Sequence, residues 1–283
     1  MDLPRGDGGA GEGMKRRAAF ALAVAALDAS NGAARTMPPT PVLAEDFESD
    51  QGAVYRLLAQ DSRLVAVAGE GVGGGRALRT TYVGGPTGSG VMVRVIPLGQ
   101  AGSDYTLNYD VRFDRDFQFV LGGKMHGLGP ARPIAGGKAL RPDGWSARVM
   151  WRENGRAVTY TYHQDQGDQY GEDGRAVRPF AFAVDRYYAV SLHVRVNDAA
   201  DRASGFVRLY VDGTLVSAQE GVRLRGTSDA EGLISTFLFS TFHGGGDPSW
   251  APRNAAGNYA DVHAYFDNLA VYPGERIRKR PGA

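Results

Sequence analysis

Between Tyr105 and Phe113 the chain reads Tyr-Thr-Leu-Asn-Tyr-Asp-Val-Arg-Phe, apolar and polar side chains in strict alternation. That period of two predicts an antiparallel strand with one buried face. Tyr187–Val196 repeats the pattern, and Val91–Ile96 is a shorter run rich in β-branched residues. Trp145–Arg152 and Val158–Gln164 are two more such segments, joined by Glu153-Asn-Gly-Arg156. Asn-Gly between alternating runs predicts a tight hairpin, so these two strands are expected to be neighbours. A second hairpin is expected where Asp212-Gly213 separates Gly205–Val211 from Thr214–Ala218. Glu45–Glu48 is expected to open the first strand and Leu64–Ala68 to form another. The dense apolar run Leu233–Phe242 suits a strand buried on both faces, and Ala264–Tyr272 closes the sheet.

Polar Gly/Pro-bearing stretches at Gly129–Gly144, Asp165–Val177 and His243–Pro252 read as loops, and Arg276–Arg280 as a frayed basic end. No segment after residue 40 keeps a helical period over three turns. Roughly ten to fourteen strands are expected, which calls for two stacked antiparallel sheets. The predicted fold class is all-β, a β-jelly roll with a concave substrate groove.

Composition agrees with this and narrows the function. The 40 glycines and 14 prolines among 283 residues favour short strands and turns over long helices. Lys+Arg total 32 against 31 Asp+Glu, so no basic field calls for nucleic acid, and an anionic ligand must be met by a local cluster. Cysteine is absent, which removes disulfides and thiolate metal sites. No His/Asp/Glu group has ligand-like spacing, so neither metal nor cofactor is expected. The glycine-rich turns at Gly69–Gly75 and Gly84–Gly90 lack the Gly-Lys-Ser/Thr of a phosphate loop.

Near the start, Lys15-Arg16-Arg17 precedes the apolar run Ala18–Leu27 and a small-residue exit. The run is too short for a permanent span and matches a secretory signal, with Met14 a possible start. The domain plan is a signal and linker over residues 1–40, a jelly-roll domain over 41–275 and a basic tail over 276–283. The protein is expected to be secreted or periplasmic and monomeric, with no membrane contact after signal removal.

The candidate chemistry lies between Gly122 and Gln164. Lys124 sits on a glycine-rich corner, Ser146 and Arg148 are two apart on one strand, and Tyr160 and Tyr162 two apart on the next. Residues i and i+2 share a face, so the hairpin can gather them on one surface. An arginine inside an apolar strand needs an acid partner or an anionic ligand. Removing the proton alpha to a uronic acid carboxylate needs positive charge on that carboxylate. A tyrosine, or a lysine of lowered pKa, can take the proton, and a tyrosine can protonate the departing glycosidic oxygen. Glycoside hydrolysis would instead use two placed carboxylates, and between Lys124 and Arg152 only Asp143 is present.

Four motifs carry a family resemblance over roughly Phe113 to Tyr272: Gly-Gly-Lys-Met-His-Gly-Leu, Trp-Ser-Ala-Arg-Val-Met-Trp-Arg, Tyr-Thr-Tyr, and Phe-Ser-Thr-Phe-His-Gly-Gly-Gly-Asp-Pro-Ser-Trp-Ala-Pro followed by Tyr-Phe-Asp-Asn. In order and local spacing they resemble polysaccharide lyase family 14, which includes alginate and glucuronate-polymer lyases of jelly-roll fold. The related family 20 glucuronan lyases share that plan.

The resemblance implies β-elimination at uronic acid residues of an anionic polysaccharide, leaving unsaturated ends. It implies Lys124 and Arg148 as carboxylate neutralisers, Ser146 as a nearby hydrogen-bonding group, and Tyr160 and Tyr162 as acid and base in either order, with Lys124 as base an open alternative. His126 stands where the family often has proline, and His243 where an aromatic residue is common. These two histidines border the cleft and change which uronate fits, or one joins the proton transfers, or each fills loop space; with His163 and Gln164 they complete the expected substrate-binding set. The competing reading is a non-catalytic carbohydrate-binding jelly roll.

Overall fold

The computed structural model describes residues 40–283, so the proposed export segment lies outside the described residues. Its strands are β1 (Leu43–Glu45), β2 (Leu64–Ala68), β3 (Arg76–Val83), β4 (Val93–Gly102), β5 (Asp104–Phe113), β6 (Gly122–Gly129), β7 (Ser146–Arg152), β8 (Ala157–Tyr162), β9 (Glu172–Asp173), β10 (Arg175–Ala176), β11 (Tyr187–Arg195), β12 (Gly205–Val211), β13 (Thr214–Val222), β14 (Ile234–Ser240), β15 (Phe242–His243) and β16 (Asp261–Pro273). One six-residue helix, α1 (Ala53–Leu58), follows β1. No helix among the described residues is long and apolar enough to cross a membrane.

The strands form two antiparallel sheets. The larger has the order β10-β13-β12-β11-β5-β16-β3-β2, with β1 also on β16. The smaller has the order β4-β14-β6-β7-β8-β9, with β15 also on β6. The core lies between them. Tyr105, Leu107, Tyr109, Val111 and Phe113 of β5 face Phe237 and Phe239 of β14 and Ala147, Val149 and Trp151 of β7 across it. Trp151 is the hub at one end, 5.5 Å from the Phe117 ring and 5.7 Å from that of Phe113. Truncating an aromatic so enclosed costs about 3–5 kcal/mol.

The strand count exceeds the expected range because two-residue strands such as β9 and β10 lie inside the predicted polar loop at Asp165–Val177. Such pieces are too short to carry a period. The first strand is Leu43–Glu45 rather than Glu45–Glu48, because the backbone turns at Phe47, whose φ is +59°.

Two further corrections concern β5 and the C-terminus. The alternation of β5 is real, yet Thr106, Asn108 and Asp110 on its polar face are buried as well. The residues after β16 cover them, so the basic end is docked and not frayed. Thr106 Oγ1 donates to Gly274 O, Asn108 Nδ2 to Arg276 O, and Arg278 Nη2 to Asp110 Oδ1 at 2.7 Å. Asp110 Oδ2 also accepts from Asn268 Nδ2 and from the Gly282 backbone N–H. Breaking a buried pair of this kind by removing one partner typically costs about 3–5 kcal/mol.

Candidate active site

The outer face of the smaller sheet carries a groove of about 680 Å³. Its floor begins with the β7–β8 hairpin. Asn154 and Gly155 both take positive φ, +59° and +77°, the backbone that an Asn-Gly turn supplies at little cost. The turn sets the register, with Ser146 opposite Tyr162, Arg148 opposite Tyr160, and Met150 opposite Val158. All six side chains therefore share the outer face, while Ala147, Val149 and Trp151 face the core. Met150, Val158, Tyr160, Tyr162 and Ile134 pack into a small apolar cluster of their own, which holds the tyrosines in place. The Tyr160 and Tyr162 rings meet edge-on at 5.8 Å.

Lys124 comes from β6, in a strand and not on a corner. It is paired with Met150, but the next pair in the register is Gly127 with Arg148. Three steps on β6 thus match two on β7, a bulge of one residue. The extra residue places both Met125 and His126 on the core side. Gly127 is also specific to this site. A Cβ there would come within 2.1 Å of Ala147 O and 2.5 Å of Arg148 Cγ, so only glycine leaves room for the arginine.

Four of the five expected catalytic residues meet in the groove: Lys124, Arg148, Tyr160 and Tyr162. The Tyr160 ring is ringed by cations. Lys124 Nζ lies 5.5 Å from its centroid, Arg148 Cζ 5.9 Å, and Arg152 Cζ 5.5 Å. Burial, and then the charges of Arg148 and Arg152, lower the Lys124 ammonium to about 8, partly opposed by Asp173. Burial also lowers the pKa of Arg148, whose side chain is 4% exposed. Its Nε and Nη2 have no hydrogen-bond partner among the described residues. A guanidinium held this way is built for an arriving anion, because leaving it unpaired is costly. Burial raises the Tyr160 phenol well above its usual range and keeps it protonated. The Tyr162 oxygen accepts a 3.2 Å hydrogen bond from the Gly137 backbone N–H. Gly136 and Gly137 are both left-handed, φ +67° and +72°, which brings that N–H to the phenol.

Ser146 is the fifth expected residue and does not reach the groove. Its hydroxyl is fully buried and donates to Ile134 O at 2.6 Å, so it anchors the loop between β6 and β7.

None of the four expected substrate-binding side chains lines the groove. His126 is enclosed by the Tyr109, Phe237, Phe239 and Phe266 rings; its Nδ1 accepts from the Ser240 N–H, and burial pulls it down to about 3. Strand alternation would have put it on the Lys124 face; the bulge turns it inward. His243 is buried against Tyr82, Phe117 and Trp151, with Nε2 donating to Gln118 O at 2.7 Å. His163 lies on the opposite face from Tyr162 and pairs with Glu172 at 3.0 Å. Gln164 is structural too: its Nε2 donates to the carbonyls of Arg141, Gly144 and Leu224.

The groove has walls that sequence reading missed, among them Arg152, Tyr170, Phe242 and Trp250. Arg152 was within reach, since it is four residues from Arg148 and so on the same face of β7. Tyr170 and Trp250 come from loops, where no period indicates direction.

No curated protein sequence matches the chain. Among solved structures, alginate lyase Aly36B is 25% identical with a TM-score of 0.64, over 83% of this chain and 98% of its own. A variant of that enzyme in complex with an alginate trisaccharide is 27% identical with a TM-score of 0.60, over 70% of this chain and 82% of its own. Two more share the fold: the alginate lyase of Aplysia kurodai, at 23% identity and TM-score 0.64 over 83% of this chain and 99% of its own, and the endo-β-1,4-glucuronan lyase of Trichoderma reesei, at 16% and 0.53 over 77% and 90%. The profile of the polysaccharide lyase 14 family matches residues 89–269, a span that holds Lys124, Arg148, Tyr160 and Tyr162 and the groove between them. The chain belongs to polysaccharide lyase family 14.

Proposed function

We propose that this lyase cleaves an alginate- or glucuronan-type uronic acid polymer by β-elimination, with Arg148 on the carboxylate, Lys124 as base and Tyr162 as acid. The observation that carries the reading is the buried Arg148 guanidinium with two unpartnered nitrogens beside a lysine lowered to about 8. Arg148 pairs with the uronate carboxylate and stabilises the charge that develops there as the alpha proton leaves. The neutral Lys124 amine takes that proton, and the released electron pair forms the C4–C5 double bond as the C4–O4 bond breaks. Tyr162 gives its proton to O4. Its oxygen already accepts from Gly137, which leaves its own O–H free to donate. Tyr160, held protonated by burial, is a hydrogen-bond donor to the sugar. Solvent exchange then returns a proton to Tyr162 and removes one from Lys124.

The signal-like pattern at Lys15–Leu27 supports action outside the cytoplasm. The alginate trisaccharide held by an Aly36B variant supports a polysaccharide ligand for the groove.

The test is absorbance near ~235 nm, where the conjugated elimination product absorbs, on polymannuronate, polyguluronate and glucuronan. The same assay reads the base. Only the unprotonated amine can take a proton, so kcat/KM rises as pH passes upward through about 8. If Lys124 acted only as a cation, kcat/KM would fall through that range instead. A falling limb therefore removes Lys124 from the base role.

A further inference from the structure

Arg152 sits in the groove, four residues along β7 from Arg148 and on the same face. At ~3.3 Å per residue their backbones are roughly 13 Å apart, so the two guanidiniums meet different sugars of a bound chain. Their states differ. Arg148 is empty-handed, whereas Arg152 is gripped by the carboxylate of Asp173 in a two-pronged fork. Its Nε lies 3.0 and 3.2 Å from the two Asp173 oxygens, and its Nη2 also donates to Oδ1. That is the geometry in which an arginine takes any free carboxylate. Asp173 reaches this place through β9, which pairs it with Tyr160. It also has a second cation in reach, Arg156 Nη2 at 3.8 Å, on a side chain 53% exposed. Arg152 is only partly covered, with 23% of its side chain exposed.

We infer that Arg152 recognises the carboxylate of a uronate neighbouring the one that reacts, and that Asp173 occupies the guanidinium in the empty enzyme and passes to Arg156 when substrate binds. This rests on the lyase reading above and extends it by one sugar: Arg152 reads a second carboxylate of the bound chain, beyond the one held at Arg148. One charge-assisted pair replaces another, so the exchange leaves neither Arg152 nor Asp173 stranded. It also bears on the reaction, because Asp173 raises and Arg152 lowers the Lys124 ammonium.

The test compares Arg152→Gln and Asp173→Asn on whichever of the three polymers the wild-type enzyme cleaves fastest, well above the Lys124 limb so that changes in that amine drop out. Arg152→Gln is expected to raise KM about tenfold or more, the value of one charge-assisted contact. Asp173→Asn is expected to lower KM, because it removes the internal competitor. Arg156→Gln is expected to raise KM modestly, since Asp173 then has nowhere to move. Opposite signs for the first two variants are the mark of competition. If the pair merely braces the hairpin, both variants raise KM, and the inference is overturned while the lyase reading stands. Absence of elimination product from the wild-type enzyme on all three polymers overturns the lyase reading and this inference with it.

Discussion

Arg148→Met is expected to make the protein more stable and nearly inactive. The guanidinium is buried, carries two nitrogens without partners, and has its pKa lowered by burial. Methionine keeps the length of the stem and the contacts with the Tyr160 and Tyr162 rings without holding a charge out of water. Replacing an uncompensated buried cation by an apolar side chain of similar size relieves its desolvation penalty, so the melting temperature rises. Elimination, in contrast, loses the group that meets the developing enolate-like charge. Loss of one such donor lowers kcat by about 10²–10³-fold. Thermal melts and the ~235 nm assay on the same preparation read both halves, the rate half by proton abstraction at the alpha carbon. A variant that melts lower and retains its rate would show that Arg148 is a packing residue.

Lys124→Ala is expected to lower kcat by about 10²–10⁴-fold, the usual range for a general base. Charge alone does not explain that loss, and Lys124→Arg separates the two contributions. Arginine keeps the positive charge but does not give up its proton in proteins. If Lys124 is the base, Lys124→Arg is as inactive as the alanine variant; a purely electrostatic lysine would be largely replaced. The fit beside Gly244 is close, since a Cβ on that glycine would lie 2.8 Å from Lys124 Nζ, so steric loss must be told apart from chemical loss. Small primary amines supply that control. Added to Lys124→Ala, they restore part of the rate in proportion to their unprotonated fraction. No recovery with any amine, together with an active Lys124→Arg, removes the base assignment.

The part of the site legible in the sequence is the part set locally. Two-residue alternation and an Asn-Gly turn suffice to put Arg148, Tyr160 and Tyr162 on one face, because pairing within a hairpin needs no information from elsewhere. The bulge in β6 is not local in that sense. Whether Met125 and His126 both turn inward depends on the space left by Tyr109, Phe239 and Phe266, which arrive from three other strands. The same holds for Ser146, whose hydroxyl is claimed by a carbonyl in a loop without periodicity. Asp173 sits on a two-residue strand, too short to announce which side it faces. The basic end reads as solvated because its acid partner, Asp110, is 168 residues away. What sequence reading lacks in each case is the neighbour and not the residue.

That last separation has a kinetic consequence. Hairpins such as β7–β8 form in about 1–10 μs, whereas contacts between distant parts of a chain wait on the closure of long loops. Arg148 and Tyr160 are twelve residues apart and meet through the turn at Asn154-Gly155, while the Arg278–Asp110 clamp spans 168 residues. Most of the groove floor should therefore take shape before the far face of the molecule is sealed. During synthesis it can do so while the last turns of chain are still unmade. Pulse-labelled hydrogen exchange reads this order directly, with amides of Ser146–Tyr162 protected before those of Asp104–Phe113. The reverse order would mean that the clamp nucleates folding and the site condenses onto it.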